Sequence, residues 1–287
     1  MSDLIMDALK KKNLSVHGVH VFQSGRTLLS HSFSPDIRYP VYSATKSILC
    51  AAIGMAADAG RLSPDTPLAG LLEQKYLSAV PAARRDAFRR LPLRRFLTMS
   101  IPGYPFRPAG DDWLADSLAL PVDYAAPPAF QYSNIPAYLA GIAYANAVGM
   151  HLADYLTPRL FEPLGIENPP FQNDPQGRFY GATGMQLTLE ELSRFGQLLL
   201  HGGVYAGKRL LSEAWVKEAS ALQIPNDRHG YGYFLWRGAS DCFYISGKWG
   251  QICLIVPQKQ LVMTCLADLP ERAEELRTVM EDCASRL

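Results

Sequence analysis

The sequence predicts an α+β protein in which strands from both chain ends build one domain and an all-helical domain is inserted between them. Three observations carry this. A strand pair with alternating hydrophobicity lies near the N-terminus, and beyond Gly230 the apolar spacing changes from about 3.6 to about 2. Between residues 64 and 175 the chain reads as short helices separated by proline-rich loops, with no convincing strand. The expected division is 1–62 plus 177–287 for the strand-bearing domain and 63–176 for the helical one.

Taken in order, residues 17–22 alternate after Gly18, and Gln23-Ser24-Gly25-Arg26 turns them into 27–33 as a hairpin. A proline-bounded connector spans 35–40. Over 45–61 the apolar residues Ile48, Leu49, Ala52, Ile53, Met55 and Ala56 recur at helical spacing, with Gly60 as C-cap. Further helical patterns cover 68–77, 83–99, 137–148 and 152–164. Thr188-Leu189-Glu190-Glu191 reads as a capping box opening an amphipathic helix that ends at His201-Gly202-Gly203. Strands follow at 231–237, 241–246, 251–256 and 261–267, with turns at Gly238 and Pro257-Gln258-Lys259, and a helix over 271–286 closes the chain.

Of the 287 residues, 48% are hydrophobic and 19% charged, a soluble globular balance that argues against disorder. The net charge of +1 argues against a dedicated nucleic-acid binder. No apolar stretch of signal-peptide length opens the chain, and the longest apolar run, 48–57, falls short of the roughly twenty residues of a membrane span. Five cysteines, an odd number without Cys-x-x-Cys spacing, fit a reduced compartment. The expectation is a cytoplasmic protein. His17-x-x-His20 places its two rings on opposite faces of a strand, so no metal site is expected.

Three short motifs carry chemistry. Ser43-Ala44-Thr45-Lys46, the one Ser-x-x-Lys in the chain, puts serine and lysine on one face at a helix start. There the lysine can accept the serine proton, and free backbone N–H groups favour developing negative charge. Tyr132-Ser133-Asn134 supplies a phenol that a neighbouring cation could hold as phenolate, and an amide to orient Lys46 or the substrate. Tyr144-Ala145-Asn146 has the same shape but lies inside a helix, where tyrosine more often packs. Lys248-Trp249-Gly250-Gln251 enters a strand near the C-terminus. Lys248 brings positive charge to the cleft, Gly250 permits close approach of a ligand, and the N–H of Gln251, on an edge strand, could complete an oxyanion hole with that of Ser43.

In this order the motifs resemble those of the serine β-lactamase and penicillin-recognising family, specifically its class C-like branch of esterases, D-amino peptidases and nylon-oligomer hydrolases. The resemblance runs from the hairpin around Val19 to the last strand. Leu97-Thr98-Met99-Ser100, Phe161-Glu162-Pro163-Leu164-Gly165 and the helix at 187–203 support it. It implies an antiparallel sheet with flanking helices, a helical domain, a cleft between them, and acyl-enzyme chemistry without metal or cofactor. By the match Ser43 is the nucleophile, Lys46 and Tyr132 its activators, and Lys248 an electrostatic contributor.

The chain departs from the family pattern twice. Ser100-Ile101-Pro102-Gly103 replaces a Thr-Ser-Gly stretch, and Trp249 stands where a small hydroxyl residue helps hold a substrate carboxylate. The expectation is therefore a hydrolase of small, uncharged esters or amides, with β-lactams and D-Ala peptides disfavoured. An acyltransferase using the same serine and a non-catalytic binding module are the competing readings. Tyr104, Phe106, Trp113 and Trp249 are candidates to line an apolar site. The basic run Arg84, Arg85, Arg89, Arg90, Arg94, Arg95 reads as a solvated helix face, with an anionic docking patch as its alternative.

Overall fold

The computed structural model describes residues 2–239 and 241–287; Met1 and Ser240 lie outside the described residues. Helix α1 (Ser2–Lys11) opens the chain, where sequence reading assigned no element. Its Ile5 and Leu9, one turn apart, are buried, and Asp3 begins it while Lys10 and Lys11 end it, the charge order a helix dipole favours. Strands β1 (Val16–Gln23) and β2 (Arg26–Ser32) form the expected hairpin. Gln23 faces Arg26 across a two-residue turn in which Ser24 (φ 50°) and Gly25 (φ 82°) are both left-handed, as a type I′ turn requires.

The connector contributes β3 (Tyr39–Pro40), paired with β4 (Gln186–Leu187). A tight turn at Tyr42–Ala44 leads into α2 (Thr45–Asp58), which is buried from Thr45 to Ala56 and therefore central. It ends as read: Gly60 N donates to Ala57 O and Arg61 N to Ala56 O, a Schellman motif around the left-handed Gly60.

The helical segment holds α3 (Gln74–Leu77), α4 (Ala82–Arg89), α5 (Leu93–Leu97), α6 (Trp113–Ala119), α7 (Asn134–Val148) and α8 (Leu152–Leu156). The single helix expected over 83–99 is two, because Pro92 lacks a donor N–H and disfavours helical geometry at Leu91. The one expected over 152–164 continues beyond α8 as a π-turn at Thr157–Phe161 and a tight turn at Glu162–Leu164, each with proline in its opening positions. Among the described residues no named strand falls between 64 and 175.

Helix α9 (Leu189–Leu200) begins at the predicted capping box: Glu191 N donates to Thr188 Oγ1 at 3.1 Å and Thr188 N to Glu191 Oε2 at 2.8 Å. A small hairpin, β5 (Val204–Tyr205) with β6 (Lys208–Arg209), and helix α10 (Glu213–Ser220) follow. The strand expected at 231–237 shrinks to β7 (Trp236–Arg237), since Phe234 is left-handed (φ 52°) and interrupts it. Then come β8 (Phe243–Gly247), β9 (Gln251–Val256), β10 (Leu261–Ala267) and helix α11 (Ala273–Arg286).

The six-stranded sheet has the order β2-β1-β10-β9-β8-β7, and every neighbouring pair is antiparallel. Both chain ends thus meet in it, at the β1–β10 pairing. Alternation divides its side chains between two faces. Val19, Val21, Leu254, Met263 and Cys265 share one apolar cluster with α1 and α11. Phe22, Ile245, Cys253, Ile255 and Val262 face α9, in a core continuous with α2, α7 and the helical segment. On this second face buried His20 bonds Ser193 of α9 (Nδ1 to Oγ 2.8 Å), while His17 stacks on Tyr39. All five cysteines are buried and free. Among the described residues no helix is long and apolar enough to cross a membrane.

The basic run is largely bonded into the fold. Arg94 pairs with Asp65, Arg95 donates to Ser100 O, and Arg85 donates to Val80 O. Arg89 pairs with Asp86 at 3.8 Å, and among the described residues Arg84 and Arg90 have no such bond.

Candidate active site

Ser43 sits in the tight turn ahead of α2, half-buried, and Tyr42 before it is left-handed at φ 47°, a backbone state that non-glycine residues rarely adopt. Lys46, on the first turn of α2, is 1% exposed. Its Nζ lies 3.0 Å from Ser43 Oγ, 2.7 Å from Asn134 Oδ1 and 2.7 Å from the carbonyl oxygen of Ala182. Among the described residues it forms no ion pair. Burial without a counter-charge holds its pKa well below the usual lysine range.

Asn134 is the first residue of α7, which Ser133 caps by accepting from Ile135 N at 3.1 Å. Helix α7 therefore begins at the motif, three residues before the apolar pattern that announced it. Asn134 Nδ2 donates to Tyr180 Oη at 3.1 Å, so the amide oxygen is the atom turned to Lys46.

Tyr132 stacks on Trp236 (5.4 Å, 23°), its ring centre lies 5.0 Å from Lys46 Nζ, and it lines the same cleft as Ser43. Burial pushes this phenol up to about 12, against the opposing pull of the Ser43 hydroxyl. Burial therefore favours the phenol over the phenolate that a neighbouring lysine suggested, and it disfavours the charged form of that lysine as well. Tyr144 is far from this chemistry in kind: fully buried in α7, edge-on to Tyr155, with no partner for its hydroxyl among the described residues.

The Lys248-Trp249-Gly250-Gln251 motif falls in the hairpin between β8 and β9, and only part of it reaches Ser43. A cleft of about 800 Å³ is lined by Ser43, Tyr132 and Asn134, by Phe106, Arg107 and Trp113 on the helical side, by Tyr180 and Thr183, and by Arg228, Trp236, Ser246, Gly247 and Lys248 on the sheet side. Trp249 (φ 68°) packs against two residues that line the cleft, edge-on to Tyr42 at 5.3 Å with Lys248 Nζ 4.0 Å above its ring, without itself lining it.

Gly250 faces α11: a Cβ there would come to 3.0 Å of Leu276. Gln251 lies on inner strand β9, not on an edge, paired with Gly247, and its amide donates to Ala267 O. Strand β8 stands between it and the cleft. Tyr104 is buried, with its hydroxyl 3.2 Å from that of Tyr124, and does not line the cleft either.

A small hydroxyl followed by glycine does stand on the cleft wall, at Ser246-Gly247. Gly247 passes so close to Val41 O that any Cβ would collide with it, which is how β8 reaches the backbone beside Ser43. Sequence reading missed this pair because it looked for the motif around a lysine, and missed Tyr180, Ala182, Arg107 and Arg228 because nothing local marks them. The one available signal was a polar Ser-Gly ending the apolar run 243–245.

A family model described as Beta-lactamase matches residues 2–280. The 6-aminohexanoate-dimer hydrolase of Paenarthrobacter ureafaciens is 23% identical over 214 residues, which cover 66% of this chain and 52% of the relative; the chain spans about half the length of that protein. Among solved structures, a Bacteroides dorei protein named for a β-lactamase superposes with a TM-score of 0.78 at 20% identity, covering 99% of this chain and 98% of that one. A penicillin-binding protein homologue from Caulobacter crescentus gives 0.74 at 17%, covering 98% and 96%. With sheet order, helices and the match over nearly its whole length in agreement, this chain belongs to the beta-lactamase family.

Proposed function

We propose that the protein is a serine hydrolase that cleaves a small ester or amide through an acyl-enzyme on Ser43. The observation that carries this is Lys46, an amine buried against a serine with no acid beside it. A neutral amine has two N–H bonds and one lone pair. Asn134 Oδ1 and Ala182 O accept the two hydrogens, which leaves the lone pair for the proton of Ser43.

In this reading Ser43 Oγ attacks the substrate carbonyl as its proton passes to Lys46. The tetrahedral oxyanion is met by the N–H of Ser43 and by the strand-end backbone at Gly247 and Lys248, in place of Gln251. Tyr132, a phenol that lines the cleft beside Ser43, hands its proton to the leaving oxygen or nitrogen and is reprotonated from Lys46. Water then enters along the same path: Lys46 takes its proton, the acyl–oxygen bond breaks, and Ser43 recovers its hydrogen. Lys248 adds a positive charge to the cleft wall. The curated relative is named for hydrolysis of a 6-aminohexanoate dimer, an amide, and this supports including amides.

A fluorophosphonate probe tests the reading. It should label the wild type and not Ser43→Ala; equal labelling of the variant overturns Ser43 as nucleophile.

A further inference from the structure

Three consecutive residues, Tyr180-Gly181-Ala182, pass close to the start of α7 and reach both Lys46 and Asn134. Ala182 O accepts from Lys46 Nζ, and Tyr180 Oη accepts from Asn134 Nδ2 at 3.1 Å. Gly181 permits the approach: it is left-handed (φ 71°), and a Cβ there would come to 3.3 Å of Ala137 O and 3.1 Å of Leu49. The segment is pinned just before this point. Buried Asp174 accepts from Tyr138 Oη at 2.5 Å, from Arg178 Nε at 2.6 Å, and from the backbone N–H groups of Gln176 and Arg178. Arg178 pairs with Asp112 as well. The Tyr180 ring stands edge-on to Trp113 at 5.0 Å and to Tyr138 at 6.0 Å, so its hydroxyl has a fixed place.

We propose that Tyr180 is a positioning residue for the chemistry at Ser43: by accepting from Asn134 Nδ2 it locks that amide with Oδ1, rather than the NH2 group, toward Lys46. The proposal rests on the hydrolase reading of Ser43. An amide has an acceptor on one side and two donors on the other, and a half-turn exchanges them. With Oδ1 inward, one N–H of Lys46 is taken up and its lone pair stays free for the serine proton. With the NH2 inward, the amide donates to that lone pair and the base is occupied. The buried oxygen also favours the ammonium that forms as Ser43 gives up its proton. Phenylalanine at position 180 keeps the ring and removes the acceptor that tells the two sides of the amide apart.

Tyr180→Phe should react with the fluorophosphonate about tenfold more slowly than wild type, the size of one hydrogen bond. It should lose the same factor in kcat/KM, mainly through kcat, on 4-nitrophenyl acetate and on 4-nitrophenyl butyrate. The acid limb of kcat/KM should move to lower pH by about 0.5–1 unit. Tyr138→Phe breaks the buried bond to Asp174 and leaves Asn134 alone, which makes it the structural control. It should lower the thermal midpoint and keep the limb in place. In an Asn134→Ala background, Tyr180→Phe should slow labelling by less than about twofold, because its effect runs through the amide.

A wild-type rate and limb in Tyr180→Phe overturn the proposal, as does an equal movement of the limb in Tyr138→Phe. Losses that differ between the two esters, or that add independently in the double variant, also overturn it. Carbon-13 NMR of lysine Cε in Ser43→Ala separates the proposal from the hydrolase reading, the Lys46 signal being the one lost in Ser43→Ala/Lys46→Arg. A Lys46 midpoint lowered by adding Tyr180→Phe, with no labelling or turnover by the wild type, would keep the amide lock and sink the hydrolase. Labelling of Ser43 with an unmoved Lys46 midpoint would do the reverse.

Discussion

Burying Lys46 without a carboxylate shifts it toward the free amine, and the rate should report that shift. The base must be unprotonated, so kcat/KM rises with pH and levels off below the ordinary lysine range. Its alkaline limb, from loss of the Tyr132 proton, belongs near 12. A plateau reached only above pH 10 would contradict a neutral Lys46, and Lys46→Arg, charged at every working pH, should be inactive throughout. Tyr132→Phe should lose about 10²–10⁴-fold in turnover. Tyr144→Phe should keep its rate and, by removing a buried hydroxyl without a partner, unfold no earlier than wild type; a matching loss at position 144 would refute the choice between the two tyrosines. Ser43, Lys46, Tyr132 and Asn134 were legible because each announces its chemistry in a local spacing. Tyr180 and the Ala182 carbonyl were not, since what they do depends on a loop brought in from 46 and 136 residues away.

At the scale of elements, legibility followed the strength of local signals. Strands β9 and β10 came out with their observed bounds, and α9 was fixed by Thr188 and Glu191. Helix α1 was overlooked because its apolar stripe is narrow, and β7 was overdrawn because aromatic residues at 231–236 pack a core without pairing as strand. The Lys248–Gln251 hairpin misled for a different reason: a sequence shows a motif but not which residues of a turn face inward. Thr188→Ala should lower stability by about 1 kcal/mol in urea unfolding, the usual cost of a lost N-cap. Glu191→Ala should cost more, because its carboxylate also holds Arg38 at 2.6 Å and is itself buried; equal effects would mean the Arg38 pair adds nothing.

Helix α9 is also tied to the sheet through His20, whose pKa burial lowers. The unfolded state therefore takes up a proton more readily, so stability should fall as pH drops below about 6.5. That acid loss should shrink in His20→Gln, measured by denaturant midpoint against pH, and persist undiminished if other groups cause it.

Across the whole molecule, the first strand pairs with the last: Val16 faces Ala267 and Gln23 faces Leu261. Long-range closure of this kind was readable in outline, from strands at both ends; the resemblance implied an antiparallel sheet, and the order of its six strands was not read. Helix α1 covers α11 and the outer sheet face through Ile5 and Leu9, against Leu276, Met280 and Cys283. Deleting residues 1–14 should uncover that face, lower the thermal midpoint and make Cys283 reactive to a thiol reagent, whereas the intact chain should shield it. The helical segment and the sheet-bearing part both contribute to the cleft, Asn134 from α7 and Ser43 from the turn before α2, so the site exists only when the two are folded together.

The most direct test of the account is intact mass spectrometry after rapid acid quench of the wild type with a 4-nitrophenyl ester. A gain of one acyl group on the peptide carrying Ser43, lost over time and absent in Ser43→Ala, is the predicted result. Hydrolysis proceeding with no adduct on that peptide, or with the adduct on another residue, would contradict it.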